Sequence, residues 1–143
     1  GEYIASQIFD IELCDSARVQ AIDGVFRSGT LKGKSVNIKC YGKKENILDI
    51  TPKVLPDFYL VLTGPKGELS SSKGKTRPFA INSVFLFDAK QLIEVLISRK
   101  VKIGIATSVI SSLWDSAQIY PNPSALLPVT EEMRQQLAKF HVE

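Results

Sequence analysis

Apolar positions recur at helical spacing at the start of the chain, then fall at every second position or in short runs, and return to helical spacing further on. Residues 2–9 read as a helix with Ile4, Ile8 and Phe9 on one side, and Ile11 to Cys14 lead out of it. Val19 to Phe26 reads as a strand, and the glycine-punctuated stretch Arg27 to Gly33 as the connection to a return strand over Ser35 to Tyr41. Lys43 to Ile50 fits a helical turn or a short strand equally well. Asp57 to Thr63 is almost wholly apolar and β-prone, which predicts a central strand covered on both faces. Phe79 to Phe87 predicts another strand. Asp88 is placed to cap a helix running to about Arg99, with Leu92, Ile93, Val95, Leu96 and Ile97 buried. Lys102 to Thr107 reads as a short strand and Ser108 to Ile119 as a helix holding the lone tryptophan, Trp114. Pro121, Pro123 and Pro128 mark an extended connection. Thr130 then caps a last helix with Met133, Leu137 and Phe140 on one face. The alternation predicts a single α/β domain over 1–143, its mixed central sheet containing antiparallel strands and flanked by helices.

The chain has 143 residues, enough for a core without disulfides or metals. Its hydrophobic fraction of 44% and charged fraction of 23% are those of an ordinary globular domain, not a disordered tail. No apolar run approaches the roughly 18 residues that span a bilayer, so no membrane association is expected. No charged start precedes an apolar stretch and a cleavage site, which leaves export unsupported and a cytoplasmic location as the expectation. The opening Gly1-Glu2 without Met reads as a processed start or an excised piece. Cys14 and Cys40 lie in no CxxC or Cys/His spacing and read as reduced, core or half-buried thiols.

The net charge of +3 is mild, but its distribution is uneven. Lys32, Lys34, Lys39, Lys43 and Lys44 crowd one region; Lys66, Lys73, Lys75 and Arg77 crowd another. Such clusters suit a polyanion, although each also suits a solvated face. The second cluster lies in Gly64 to Pro78, with three serines, three glycines and three lysines, a composition too polar to order itself.

Several chemistries are excluded by what is missing. The single histidine, His141, stands near the end of the sequence, poorly placed for a Ser/His/Asp or Cys/His nucleophile. Neither GxGxxG nor GxxxxGK[ST] occurs, so nucleotide folds lack their phosphate cradle. Zinc lacks ligands. Four residues remain: Glu2, Asp23, Asn37 and Lys39. Lys39 sits among Val36, Ile38 and Cys40, where its ammonium is expensive to bury unless an anion meets it.

The pattern resembles the PD-(D/E)xK nuclease superfamily, especially its Holliday-junction-resolvase-like and Mrr-like members. Gly1-Glu2 opens a helix as in members that take an extra glutamate from it. Ala21-Ile22-Asp23-Gly24 occupies the place of the Pro-Asp element, with Ile22 where proline usually stands. Asn37-Ile38-Lys39 occupies the (D/E/Q)xK place, and the departure there is Asn37, a neutral and shorter ligand. Over about residues 1–105 the resemblance implies a restriction-endonuclease-like αβββαβ core, with a C-terminal helical extension over about 106–143. It implies DNA as partner, with RNA as the alternative polyanion, and a homodimer as one arrangement, though no stretch marks an interface. It also implies hydrolysis of phosphodiester bonds by a Mg²⁺ (or Mn²⁺) endonuclease of restriction, repair or defence type. Glu2, Asp23 and Asn37 would hold the metal, and Lys39 would position or deprotonate water. Lys32, Lys34, Lys43, Lys44, Lys73, Lys75 and Arg77 would meet the nucleic acid. An inactive DNA-binding version of the fold is the alternative.

The literal letters also occur as Pro56-Asp57 and Asp88-Ala89-Lys90, but Asp88 precedes an apolar helical run, where a capping role is expected. Glu45 and Asp49 would share a face if their run were helical. Phe26, Tyr41, Phe58 and Tyr59 interleave with the basic cluster and suit either base contacts or the core. Hydroxyls of Thr107, Ser108, Ser111 and Ser112 suit phosphate contacts or capping.

Overall fold

The computed structural model describes residues 1–14, 21–43, 45–64 and 80–141. The first helix, α1 (Glu2–Phe9), turns Ala5, Ile8 and Phe9 inward and ends at Asp10 in the left-handed region, with φ 54°. The chain passes directly into β1 (Ile11–Leu13), a strand where the sequence suggested only an exit from the helix. Of the strand expected over Val19 to Phe26, β2 comprises Gly24–Phe26; Ala21 to Asp23 are not strand, and residues 19 and 20 lie outside the described residues. The hairpin leads to β3 (Ser35–Tyr41), with the expected bounds. Arg27 and Ser28 hold its base against the end of α1: the Arg27 guanidinium lies 3.3 Å from one Asp10 oxygen, and the Ser28 hydroxyl donates to the other at 2.6 Å.

The ambiguous run after β3 contains β4 (Ile47–Leu48), which pairs antiparallel with β7 (Thr107–Ser108) in a separate ribbon. This pairing resolves the ambiguous stretch and shifts the strand expected over Lys102 to Thr107. Residues 43 and 45–50 are not helical, and of Lys102 to Thr107 only the last residue joins a strand. β5 (Phe58–Thr63) and β6 (Ser83–Asp88) follow, with Tyr59 to Thr63 all buried as the unbroken apolar run requires. Helix α2 (Ala89–Ser98) starts where Asp88 accepts from the Gln91 amide at 3.0 Å. Only Ala89, Leu92 and Leu96 of α2 are buried; Ile93 and Val95 are half-buried, and Ile97 is 63% exposed because one helix stripe meets the sheet. Helix α3 (Ser111–Ala117) is shorter than expected, and its last predicted turn is instead β8 (Gln118–Tyr120). Helix α4 (Glu131–Ala138) is capped by Thr130 as its sequence announces.

Among the described residues six strands form one mixed sheet in the order β1-β2-β3-β5-β6-β8. β3 and β5 run parallel, and the other neighbours are antiparallel. Alternation divides the core in two. Val36, Ile38, Leu60 and Leu62 face α1 and α4, whereas Tyr59, Val61, Phe85 and Phe87 face α2 and α3 around Trp114. Among the described residues no helix is long and apolar enough to cross a membrane. Cys14 and Cys40 are free and exposed, not core thiols.

Gly24 has a steric reason to lack a side chain. A Cβ there would stand 2.5 Å from the Glu12 carbonyl oxygen and 2.6 Å from Ile11 Cγ2, atoms of the adjoining strand β1. Gly24→Ala therefore forces β1 and β2 apart and costs about 1–3 kcal/mol. Chemical denaturation reads this directly, and a midpoint equal to the parent's would show that the strands separate freely.

Candidate functional site

The backbone pairing of β2 with β3 ends at Val36, and Asp23 continues it by other means. Its amide donates to the Val36 carbonyl at 2.9 Å, and its carboxylate accepts from the Ile38 amide at 2.6 Å. The side chain thus stands in for the next residue of a strand, satisfying an edge N–H that would otherwise face the gap where β2 departs. Asp23 is thereby anchored between Asn37 and Lys39.

Those two residues share the face of β3 that also carries Ser35 and Tyr41, since side chains two apart on a strand point the same way. Asn37 Oδ1 is buried without a hydrogen-bond partner, an acceptor that costs free energy until something donates to it or coordinates it. Lys39 is half-buried, its ammonium 5.4 Å from the centre of the Tyr59 ring. Loss of hydration pushes the Lys39 amine below its ordinary range, against the opposing charges of Asp49 and then Asp23. Glu2 approaches from α1, which packs on the other face of the sheet. Its carboxyl is pushed up first by partial burial and then by Asp23. Glu2 and Lys39 consequently both lie in the field of Asp23, one from each face, around the open edge of β3.

Asp49 joined this neighbourhood unannounced, and Tyr59, read as a base contact or a core residue, proves to be core beneath Lys39. Asp49 exerts the largest charge effect on Lys39, although it was considered only as a helical neighbour of Glu45. It arrives through the β4–β7 ribbon, whose pairing no local spacing reveals. Tyr41 accepts from the Asp49 amide through its hydroxyl at 3.3 Å. Tyr59 is 1% exposed, its hydroxyl has no partner, and loss of hydration pushes the phenol up to about 12. Its opposition to Asn37 across the parallel pair was concealed in the sequence by the apolar run around it.

The remaining candidates scatter. Lys32 and Lys34 are exposed on the hairpin, and Lys43 lies 3.3 Å from Glu45. Lys44, Lys66, Lys73, Lys75 and Arg77 lie outside the described residues, as do residues 65–78 of the polar stretch. Phe26 is core and packs edge-on against Phe58 at 6.4 Å, while Ser111 accepts from the Asn46 amide at 3.1 Å. Pro56, Asp57, Asp88 and Lys90 do line one cavity of about 650 Å³ with Lys34. There Asp57 already accepts from the Ser35 amide at 2.8 Å and hydroxyl at 3.1 Å, and Asp88 caps α2.

Glu2, Asp23 and Asn37 supply two carboxylates and an amide oxygen. Among the described residues no three His, Cys, Asp or Glu side chains gather as a metal group. Mg²⁺ is commonly held by one or two carboxylates with waters and substrate phosphates completing the shell; of these three groups, Asp23 and the unpartnered Asn37 oxygen belong to the β3 edge, and Glu2 comes from the opposite face of the sheet. Comparison of the chain with models of known protein families and with curated protein sequences gave no match.

The Lys39 environment has a thermodynamic consequence. Between its lowered folded value and the ordinary 10.5, the unfolded chain binds more protons at this group than the folded chain does. Stability contributed by this residue therefore rises with pH across that window. Lys39→Met keeps the stem over Tyr59 and removes the charge, so the variant is the more stable at neutral pH and its advantage shrinks towards pH 10.5. Thermal melts of both proteins over that range measure it, and a pH-independent difference would place the ammonium in water.

Proposed function

We propose that this domain has a restriction-endonuclease-like core, binds DNA and hydrolyses its phosphodiester bonds in a Mg²⁺-dependent reaction. The observation that carries the reading is the buried, unpartnered Asn37 oxygen on the Lys39 face of β3, beside an anchored Asp23. The element order supports it: α1 is followed by the antiparallel β1, β2 and β3, and β5 then lies parallel to β3. The described part of the β3–β5 crossover holds turns and β4 where the αβββαβ core has a helix.

In this reading Asp23 and Asn37, with Glu2 from α1, would hold Mg²⁺, and the ion would supply neutralisation of phosphate charge and stabilisation of the leaving oxygen. Asp23, tied to the β3 backbone, sets the position of that ligand set relative to Lys39. The Lys39 amine, lowered by lost hydration, takes or orients a proton of the attacking water. Lys32 and Lys34 on the hairpin hold neighbouring phosphates.

An inactive DNA-binding form of the same fold is the second reading. It is favoured by the neutral amide at Asn37 and by the Asp23 oxygen already spent on the Ile38 amide. Nicking of supercoiled plasmid across a Mg²⁺ titration separates the two. Metal-dependent nicking supports the nuclease; salt-dependent binding without nicking supports the inactive form. Absence of DNA binding at low salt removes both.

A further inference from the structure

The space beside the end of β6 is closed by helices instead of by a strand. β8 pairs with β6 only at Val84 and Phe85, and α2 and α3 both pack against β6. An open cavity of about 450 Å³ lies there, within the roughly 300–1,000 Å³ of small-molecule sites. Phe87, Leu92, Val95, Leu113 and Ala117 line it, with Leu126, which is 45% exposed. Its walls are fixed by the second core. Phe87, Leu92 and Ala117 are buried, and the Phe87 ring meets Trp114 edge-on at 5.1 Å. The cavity is thus largely preformed, and its surface is mostly apolar.

Asp88, Gln91 and Ser116 are the polar residues around it. The Ser116 hydroxyl already donates to the Ser112 carbonyl at 3.0 Å. One Asp88 oxygen accepts from the Gln91 amide, and the other makes no hydrogen bond or ion pair among the described residues. Asp88 is also the one charged side chain of the lining among the described residues. It does not by itself call for a cation. It stands at the N-terminus of α2, where the helix dipole offsets its charge. The adjoining cavity, which shares Phe58 and Asp88, holds Lys34 and Lys90 beside Asp57 and Asp88, two charges of each sign. An anion would meet the Asp88 carboxylate, and a cation would meet the positive end of α2. A neutral O–H or N–H donor meets neither penalty.

We propose that this cavity binds a neutral, mostly apolar small molecule carrying one hydroxyl or N–H, its apolar body between α2 and α3 and its donor on the free Asp88 oxygen. The inference does not depend on the nuclease reading, since neither Asp23, Asn37 nor Lys39 lines the cavity. Apolar burial supplies the attraction, and the hydrogen bond to an ionised acceptor sets the orientation.

Four probes of matched shape, 4-methylphenol, toluene, 4-methylbenzoate and 4-methylbenzylamine, titrated into ¹⁵N-labelled protein and followed by amide NMR, test the assignment. 4-Methylphenol shifts the Gln91, Leu113 and Ala117 amide signals saturably and raises the melting temperature. Toluene moves the same signals with about ten-fold lower affinity, and the two charged probes bind more weakly still. Asp88→Asn keeps a capping side chain and cuts the advantage of the phenol over toluene to about three-fold or less. Ser116→Phe, at an exposed position, fills the cavity and abolishes binding of both neutral probes with no loss of melting temperature. A phenol that binds no more tightly than toluene, an amine that binds best, or shifts scattered away from the cavity would overturn the proposal. So would sedimentation showing a parent dimer that Ser116→Phe splits, because the cavity would then belong to a second copy of the chain.

Discussion

On the proposed nuclease reading, Lys39→Ala is expected to abolish plasmid cleavage while leaving DNA affinity nearly intact. Removing a positioned proton-transfer group costs about 10²–10⁴ in rate, whereas one partly screened cation among several contributes little to affinity. Asn37→Asp moves in the opposite direction on the metal. The amide oxygen is buried and unpartnered, so a carboxylate in its place is penalised until a cation compensates it. The variant is therefore less stable than the parent without metal, regains stability on adding Mg²⁺ or Mn²⁺, and binds either ion on the order of ten-fold more tightly. Divalent-ion titration followed by thermal melts, with plasmid nicking alongside, measures all of these quantities. A parent that never nicks plasmid, combined with an Asn37→Asp variant whose melting ignores Mg²⁺, would reduce the site to a structural cluster. Lys39→Ala would then act only through stability or phosphate attraction.

Trp114→Ala is expected to carry the largest stability cost. The indole is fully buried at the centre of the second core, edge-on to Phe85 at 4.8 Å and to Phe87 at 5.1 Å. Its N–H donates to the Val109 carbonyl at 3.1 Å. Truncation leaves a cavity and removes a buried donor together, about 3–5 kcal/mol of a total that for domains of this size is about 5–15 kcal/mol. Trp114→Phe refills most of the volume but not the donor, and should retain roughly half the loss or less. The damage reaches the candidate site, because Tyr59, under the Lys39 ammonium, belongs to the same core. Urea denaturation of the two variants orders them, and an alanine variant as stable as the phenylalanine one would mean that the core collapses into the space.

Much of the architecture was legible where its cause is local. Asp88 and Thr130 announce their helices because a capping oxygen and the amide it serves are three residues apart in the chain. β3 has its expected bounds because glycines break the chain before it and apolar residues alternate along it. The uniformly apolar β5 reads as central because only a strand covered on both faces needs no polar side.

Elements whose cause is distant were misread. β8 looks like the last turn of a helix, yet the edge groups of β6 draw it into the sheet. β4 and β7 are two residues each and exist only because they meet. The same division runs through the candidate site. The mid-strand lysine made Asp23, Asn37 and Lys39 conspicuous in the sequence, and Glu2 joined them through the family resemblance. That Asp23 completes the β3 edge, that Asn37 keeps an unpartnered oxygen, and that Asp49 and Tyr59 surround Lys39 came only with the tertiary structure. Local pattern records what a segment must bury, whereas the partner it is buried against is chosen by the packing of the whole chain.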